Sequence, residues 1–197
     1  MSRFRAGLPA LARKYVWNAK YKLLRYPHLV APEDAIRYLA SRLPEGGSLL
    51  ELGCGRGSLI RGLRQYGWMG QYCGVDVSQQ AIRDANKFAD QRSSWVVSDI
   101  ESFHSLFKWN AVAMIESIYY IGLNQLPQVL KSVMEMVGES GIFLVRFHDF
   151  KKHQAYIEMI QRLYPSAERV ESNLLCIDAT SLSFNRPASP YEKQERA

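Results

Sequence analysis

Leu49-Leu50-Glu51-Leu52-Gly53-Cys54-Gly55-Arg56-Gly57 decides the fold of this 197-residue chain. Leu49 to Leu52 is an apolar run of strand length that follows a Gly46-Gly47 turn. The alternating glycines permit a tight turn with positive φ and let the backbone come close to a ligand. A helix after them points its free N–H groups at that ligand. The stretch therefore predicts a small polar cofactor lying across the end of a parallel strand.

Working outward, a dinucleotide-binding loop would place its third glycine at position 58, where this chain has Ser58. Glu51 stands just before the first glycine. A carboxylate there repels a pyrophosphate but accepts hydrogen bonds from an ammonium group. Tyr72-Cys73-Gly74-Val75-Asp76-Val77-Ser78 reads as a second strand ending in an acid, with Ser78 as an N-cap for the next helix. Asp76 lies 23 residues beyond Gly53, about where a Rossmann-type unit holds ribose hydroxyls. Trp95 to Ile100 reads as a third strand ending in Asp99, and Trp109 to Ile121 as a fourth, ending in Glu116-Ser117-Ile118-Tyr119-Tyr120. Taken singly, each acid could merely start a loop; all three stand in register with strand–helix units.

Order and spacing together resemble motifs I to IV of the class I S-adenosylmethionine (SAM) dependent methyltransferases, over roughly residues 30–186. The resemblance implies that Glu51, Gly53, Cys54, Gly55, Gly57, Asp76, Val77, Asp99, Ile100 and Glu116 bind SAM. Asp99 would hold the adenine amino group, with the next residue packed on the ring. It also implies a single Rossmann-like α/β domain with a seven-stranded, mostly parallel sheet whose last strand is antiparallel. Alternating strands and helices by themselves imply the parallel sheet with right-handed crossovers.

The helices expected are one starting at Pro32, then Leu59–Tyr66, Gln79–Phe88, Gln125–Val137 and residues 151–163. Gly138 and Gly141 flank an expected turn before a buried fifth strand, Ile142–Val145. Glu168 to Asn185 reads as a closing hairpin, and 187–197 as a tail. The methyltransferase domain is then residues 31–186, after a basic aromatic segment, 1–30.

That segment more than accounts for the chain's net charge of +6. Residues 1–26 hold seven basic residues and no acid, which leaves 18 basic against 19 acidic residues elsewhere. It reads as a lid over cofactor and substrate, with Trp17 and Tyr21 facing the acceptor and Arg25 within reach of the SAM carboxylate. An RNA-tracking arm and a membrane-surface helix stay open as alternatives. The segment lacks the apolar core of a signal peptide, and no run is long enough to span a membrane. Three cysteines at 54, 73 and 176 and scattered histidines at 28, 104, 148 and 153 suit a reducing cytoplasm and indicate no metal site.

Strands four and five should present the acceptor, which assigns the substrate side to Ser117, Tyr119, Tyr120, Arg146, His148 and Asp149. His148 is the candidate general base, since its free pKa lies near neutrality. Glu116 and Tyr120 are the other candidate catalytic groups. Glu116 could orient the methionine ammonium, bind a substrate amine, or only cap its loop. Alignment of nucleophile, methyl carbon and sulfur should outweigh base assistance. Alignment supplies about 7–11 kcal/mol, against roughly 3–5 kcal/mol for a base.

The acceptor class is narrowed by Glu116-Ser117-Ile118-Tyr119-Tyr120. It lacks the Asp/Asn-Pro-Pro-Tyr of enzymes methylating nucleobases or protein glutamine, and the double glutamate of protein arginine methyltransferases. It is similar to the matching segment of Nod-factor N-methyltransferases, which act on an amino sugar. The expected reaction is methyl transfer to a nitrogen or oxygen of a small, sugar-like or natural-product-like molecule. The alternatives are an RNA methyltransferase and a non-catalytic SAM-binding protein.

Overall fold

The computed structural model describes residues 10–23 and 31–181. Arg25 and the tail expected over 187–197 lie outside the described residues. Seven strands form one sheet in the order β3-β2-β1-β4-β5-β7-β6. In chain order they are β1 (Ser48–Leu52), β2 (Gln71–Asp76), β3 (Ser93–Val97), β4 (Trp109–Ile115), β5 (Val137–Arg146), β6 (Glu168–Glu171) and β7 (Leu174–Asp178). The helices are α1 (Ala10–Leu23), α2 (Glu33–Arg42), α3 (Ser58–Gln65), α4 (Gln79–Ala85), α5 (Leu126–Met136) and α6 (Gln154–Leu163). β1 to β5 pair in parallel, while β7 runs antiparallel between β5 and β6. The mostly parallel sheet with an antiparallel last strand is thus present.

Every residue of β1 is buried, because the strand is covered on both faces. Strand alternation divides its side chains. Leu50 and Leu52 join Val112, Met114 and the apolar faces of α5 and α6 in one core. Leu49 joins Ala111, Ala113 and the apolar faces of α2 and α3 in the other. Glu33 and Asp34 occupy the first turn of α2, where carboxylates suit the helix dipole. Ser78 caps α4 by accepting a hydrogen bond from the Ala81 amide at 3.2 Å.

Some element ends differ from those expected. β3 stops at Val97; Asp99 instead opens a turn in which its carbonyl accepts from the Phe103 amide at 3.0 Å. β5 runs continuously through the expected turn at Gly138–Gly141, and a register shift between Trp109 and Ala111 absorbs the mismatch with β4. Its entry half carries exposed Glu139 and Ser140, so hydropathy shows a strand only from Ile142. The hairpin of β6 and β7 closes by Asp178.

The chain leaves β1 for β2 on one side, and β4 continues the sheet on the other. A crevice opens at such a reversal, beyond the carboxyl ends of the strands.

Candidate active site

A cavity of about 340 Å³ occupies that crevice, at the lower end of the range for small-molecule sites. Its lining comes from the loops after β1, β2, β3 and β4 and from the inner face of α1. Glu51, Gly53, Cys54, Gly55, Asp76, Val77, Asp99, Ile100 and Glu116 all line it, as do Trp17, Tyr21, Tyr119 and Tyr120. Four parallel strands ending together bring residues from position 51 to 120 into one space.

The loop after β1 is shaped by close contacts that only glycine allows. Gly53 has φ +83, and a Cβ there would lie 2.4 Å from the Ser117 Cβ. Ser117 is held in turn by donating its hydroxyl to the Leu52 carbonyl at 2.6 Å. Asp76 ties the loop to β2: one carboxylate oxygen accepts from the Gly55 amide at 2.9 Å and the other from the Ser78 amide at 2.8 Å. Burial raises the Asp76 pKa to about 6 against the pull of these two donors. Glu51 is buried at the end of β1 and accepts a hydrogen bond from the Tyr72 hydroxyl at 2.5 Å. Burial, with a further push from the charge of Asp76, raises its pKa to about 8 although the Tyr72 bond opposes the rise.

Gly57 is different from the other two loop glycines. It does not line the cavity. Its φ is +71, and a Cβ there would strike the Trp95 ring at 2.5 Å. Gly57 therefore lets α3 start against Trp95, and the structure does not bring it into the cavity lining with the other two.

Two residues expected on the acceptor side lie outside the cavity lining. Arg146 does not line the cavity. Its Nε sits 3.0 Å from Asp34 Oδ1, and its Nη1 hydrogen bonds Glu116 Oε1. It is a strut between α2 and the loop after β4. That strut fixes Glu116, whose φ of +54 is a left-handed conformation costly for a non-glycine residue. His148 is exposed on the loop after β5 and does not line the cavity either. Asp149 beside it accepts from the Lys151 amide at 2.9 Å and so shapes that loop. Among the described residues the histidine near the site is His153, which stacks on Tyr119 with ring centroids 4.2 Å apart. Burial lowers its pKa, so it favours the neutral form.

α1 lies across the site and is tied to it by side chains that local sequence patterns did not reveal. Asn18 Oδ1 accepts from the Ser78 hydroxyl at 2.8 Å and the Gln80 amide at 3.2 Å, at the start of α4. Arg56, in the glycine loop, donates to the Tyr21 carbonyl at 2.7 Å. The Trp17 ring meets Tyr120 edge-on at 4.9 Å. Lys20, Arg56 and Arg61 add positive charge to the lining. Arg56 and Arg61 are visible in sequence only as polar residues of the first loop and helix.

The lining carboxylates Glu51, Asp76, Asp99, Glu101 and Glu116 suit a ligand with cationic groups and hydroxyls. SAM, with its ammonium, sulfonium and ribose, fits that donor set. Among the described residues no group of His, Cys, Asp and Glu is placed to hold a metal ion. No helix among them is long and apolar enough to cross a membrane.

Comparison with known proteins agrees with the geometry. A family model described as a methyltransferase domain matches residues 23–177. The chain is 22% identical over 128 residues to Sphingolipid C9-methyltransferase 1 of Gibberella zeae, covering 62% of this chain and 25% of that protein. It thus spans about a quarter of that relative's length. The SAM-bound magnesium protoporphyrin IX methyltransferase of Synechocystis PCC 6803 superposes with a TM-score of 0.66 at 13% identity, covering 87% of this chain and 97% of that one. A sugar N-methyltransferase of Streptoalloteichus superposes with a TM-score of 0.52 at 18% identity, covering 68% and 53%. At such identities the two structures speak for the fold, and the family match, which spans most of the chain, speaks for the rest: this chain belongs to the methyltransferase domain family.

Proposed function

We propose that this enzyme methylates a nitrogen or oxygen of a small molecule of amino-sugar or natural-product type, bound between the end of β4 and the inner face of α1. The observation that carries this reading is the enclosure of the acceptor side. Trp17, Tyr119 and Tyr120 wall it, Glu116 offers a carboxylate, and α1 lies across it. Aromatic faces and one fixed carboxylate are what an amine or hydroxyl on a compact ring needs. The sugar N-methyltransferase among the structural neighbours is consistent with that class. Residues 1–30 would then act as a lid of which α1 is the described part, over a domain spanning 31–186.

Bound SAM supplies a methyl group already activated by its sulfonium. What remains for the chain is to hold, align and exclude water. In this reading Asp76 holds the ribose hydroxyls, Asp99 and Ile100 the adenine, and Glu51 the methionine ammonium. Glu116, pinned by Arg146, orients the acceptor amine or hydroxyl rather than serving as a strong base. Tyr119 stays protonated, because burial holds its pKa well above the ordinary phenol value, so it can donate a hydrogen bond. His148 is exposed and outside the cavity lining, so this reading assigns it no role. The test is transfer of a labelled methyl from SAM to a panel of amino sugars and hydroxylated analogues. Turnover on structured RNA, with none on any small acceptor, would sink the proposal.

The assignment of Glu51 makes a prediction in pH. A carboxyl whose folded pKa exceeds its unfolded value stabilises the fold at low pH and loses that contribution as pH rises through the folded value. For Glu51 the window runs from about 4.5 to about 8. Asp76 acts the same way from 3.8 to about 6, whereas His153, with its lowered pKa, works in the opposite direction. A ligand ammonium favours the Glu51 carboxylate, so affinity for S-adenosylhomocysteine should climb between pH 6 and 8, by at most about ten-fold per unit. Calorimetric titration of Glu51→Gln should show a weaker and flatter profile. Identical profiles for the variant and the parent would remove Glu51 from the ammonium site.

A further inference from the structure

We propose that the outward face of α1 docks on an anionic lipid surface. α1 has two working faces. Trp17, Lys20 and Tyr21 look into the cavity, and Asn18 binds the start of α4. Tyr15, Ala19, Lys22 and Leu23, at helical spacings of four, seven and eight, are exposed on the opposite side, and Lys14 is exposed at its edge.

Two large apolar residues stand in water on that face: Tyr15 is 69% exposed and Leu23 79% exposed. Neither is spent on the core or on the site. Lys14 and Lys22 stand exposed on the same helix, and the sequence has seven basic residues and no acid before Glu33. The rest of the sequence is close to neutral, so the excess positive charge belongs to this segment. Basic residues beside exposed aromatic and aliphatic groups on one helical face match the interface of an anionic bilayer. There the lysines meet headgroups while Tyr15 and Leu23 enter the acyl boundary. A nucleic-acid backbone would reward the lysines but leave an exposed leucine without gain. A helix is about 10–12 Å across. A surface on its outer face therefore lies one helix thickness from the cavity, and acceptors carried at that surface would have a short path to it.

The test uses the full-length protein and vesicles of phosphatidylcholine with or without phosphatidylserine, followed by co-sedimentation at low and high salt. Binding is expected on the phosphatidylserine vesicles only, and should fall as salt rises. Lys14→Ala with Lys22→Ala should weaken it by about five-fold per lysine. Tyr15→Ser with Leu23→Ser should weaken it while leaving the salt dependence in place. None of these residues lines the cavity, so each variant should bind S-adenosylhomocysteine as the parent does, which also shows that it folds. Equal partition onto neutral vesicles, no binding at low salt, or binding that survives both double variants overturns the proposal. So does binding to a single-stranded RNA oligonucleotide with none to vesicles. The readout is partition rather than turnover, so its failure leaves the small-acceptor reading untouched.

Discussion

Gly53→Ala will cost this enzyme most of its cofactor affinity and a large part of its stability. Two effects act at one atom. A residue other than glycine at φ +83 is strained, by roughly 1–2 kcal/mol. The new methyl also falls 2.4 Å from the Ser117 Cβ and 2.9 Å from its hydroxyl, and overpacking of that kind costs about 1–3 kcal/mol. Set against a total stability of about 5–15 kcal/mol, the sum should lower the melting temperature by roughly 10 °C. Ser117 cannot yield without dragging Glu116, which is already held at positive φ. Displacement of about 1 Å in such a site costs on the order of 10²-fold, and a loss of that size is expected in S-adenosylhomocysteine titration. Adding Ser117→Gly removes both clashing atoms and should restore part of the stability but not the backbone preference. If Gly53→Ala alone binds and melts like the parent, the loop does not have the shape described.

Asp76→Ala should separate a structural role from a ligand role. In the folded protein the carboxylate satisfies the Gly55 and Ser78 amides. Truncation leaves two donors with little access to water, at about 1–3 kcal/mol each. The same truncation removes the acceptor proposed for the ribose. A charge-assisted hydrogen bond contributes about 1.5–3 kcal/mol, so affinity should fall by roughly ten- to a hundred-fold from that cause alone, before loosening of the glycine loop is added. Asp76→Asn keeps the shape and one acceptor oxygen but turns an amide group towards the second backbone donor. It should fold better than the alanine variant and still bind weakly. Unchanged affinity in the alanine variant, measured on protein that is demonstrably destabilised, would leave Asp76 as a loop anchor and nothing more.

The parts of the site that were legible in the sequence share a cause. Glu51 and Asp76 stand at the ends of β1 and β2 and Asp99 just beyond β3, and parallel topology delivers consecutive strand ends to one edge of the sheet. Position along the chain is then enough to predict position in space. Arg146 defeated that logic although it also ends a strand. Whether a strand-end side chain reaches the cavity depends on what competes for it, and Asp34 and Glu116 take this one. His148 lies outside the cavity for a related reason: the chain turns out into solvent immediately after the buried Phe147, and among the described residues the histidine that approaches the site is His153. Gly57 sits in the right motif but answers to Trp95, a partner 38 positions further along the chain.

What the sequence determined by itself was the order of strands and helices, the glycine loop with its acid, and through them the family and the cofactor. These rest on local periodicity and on conformations open only to glycine, both of which are written in neighbouring residues. Only the tertiary structure decided that Asn18 and Arg56 tie α1 across the site, that Arg146 braces Glu116, and that Tyr15 and Leu23 of α1 are exposed. Those facts depend on pairings between residues tens of positions apart, whose strength comes from burial and distance after the sheet has formed, and no local pattern encodes them.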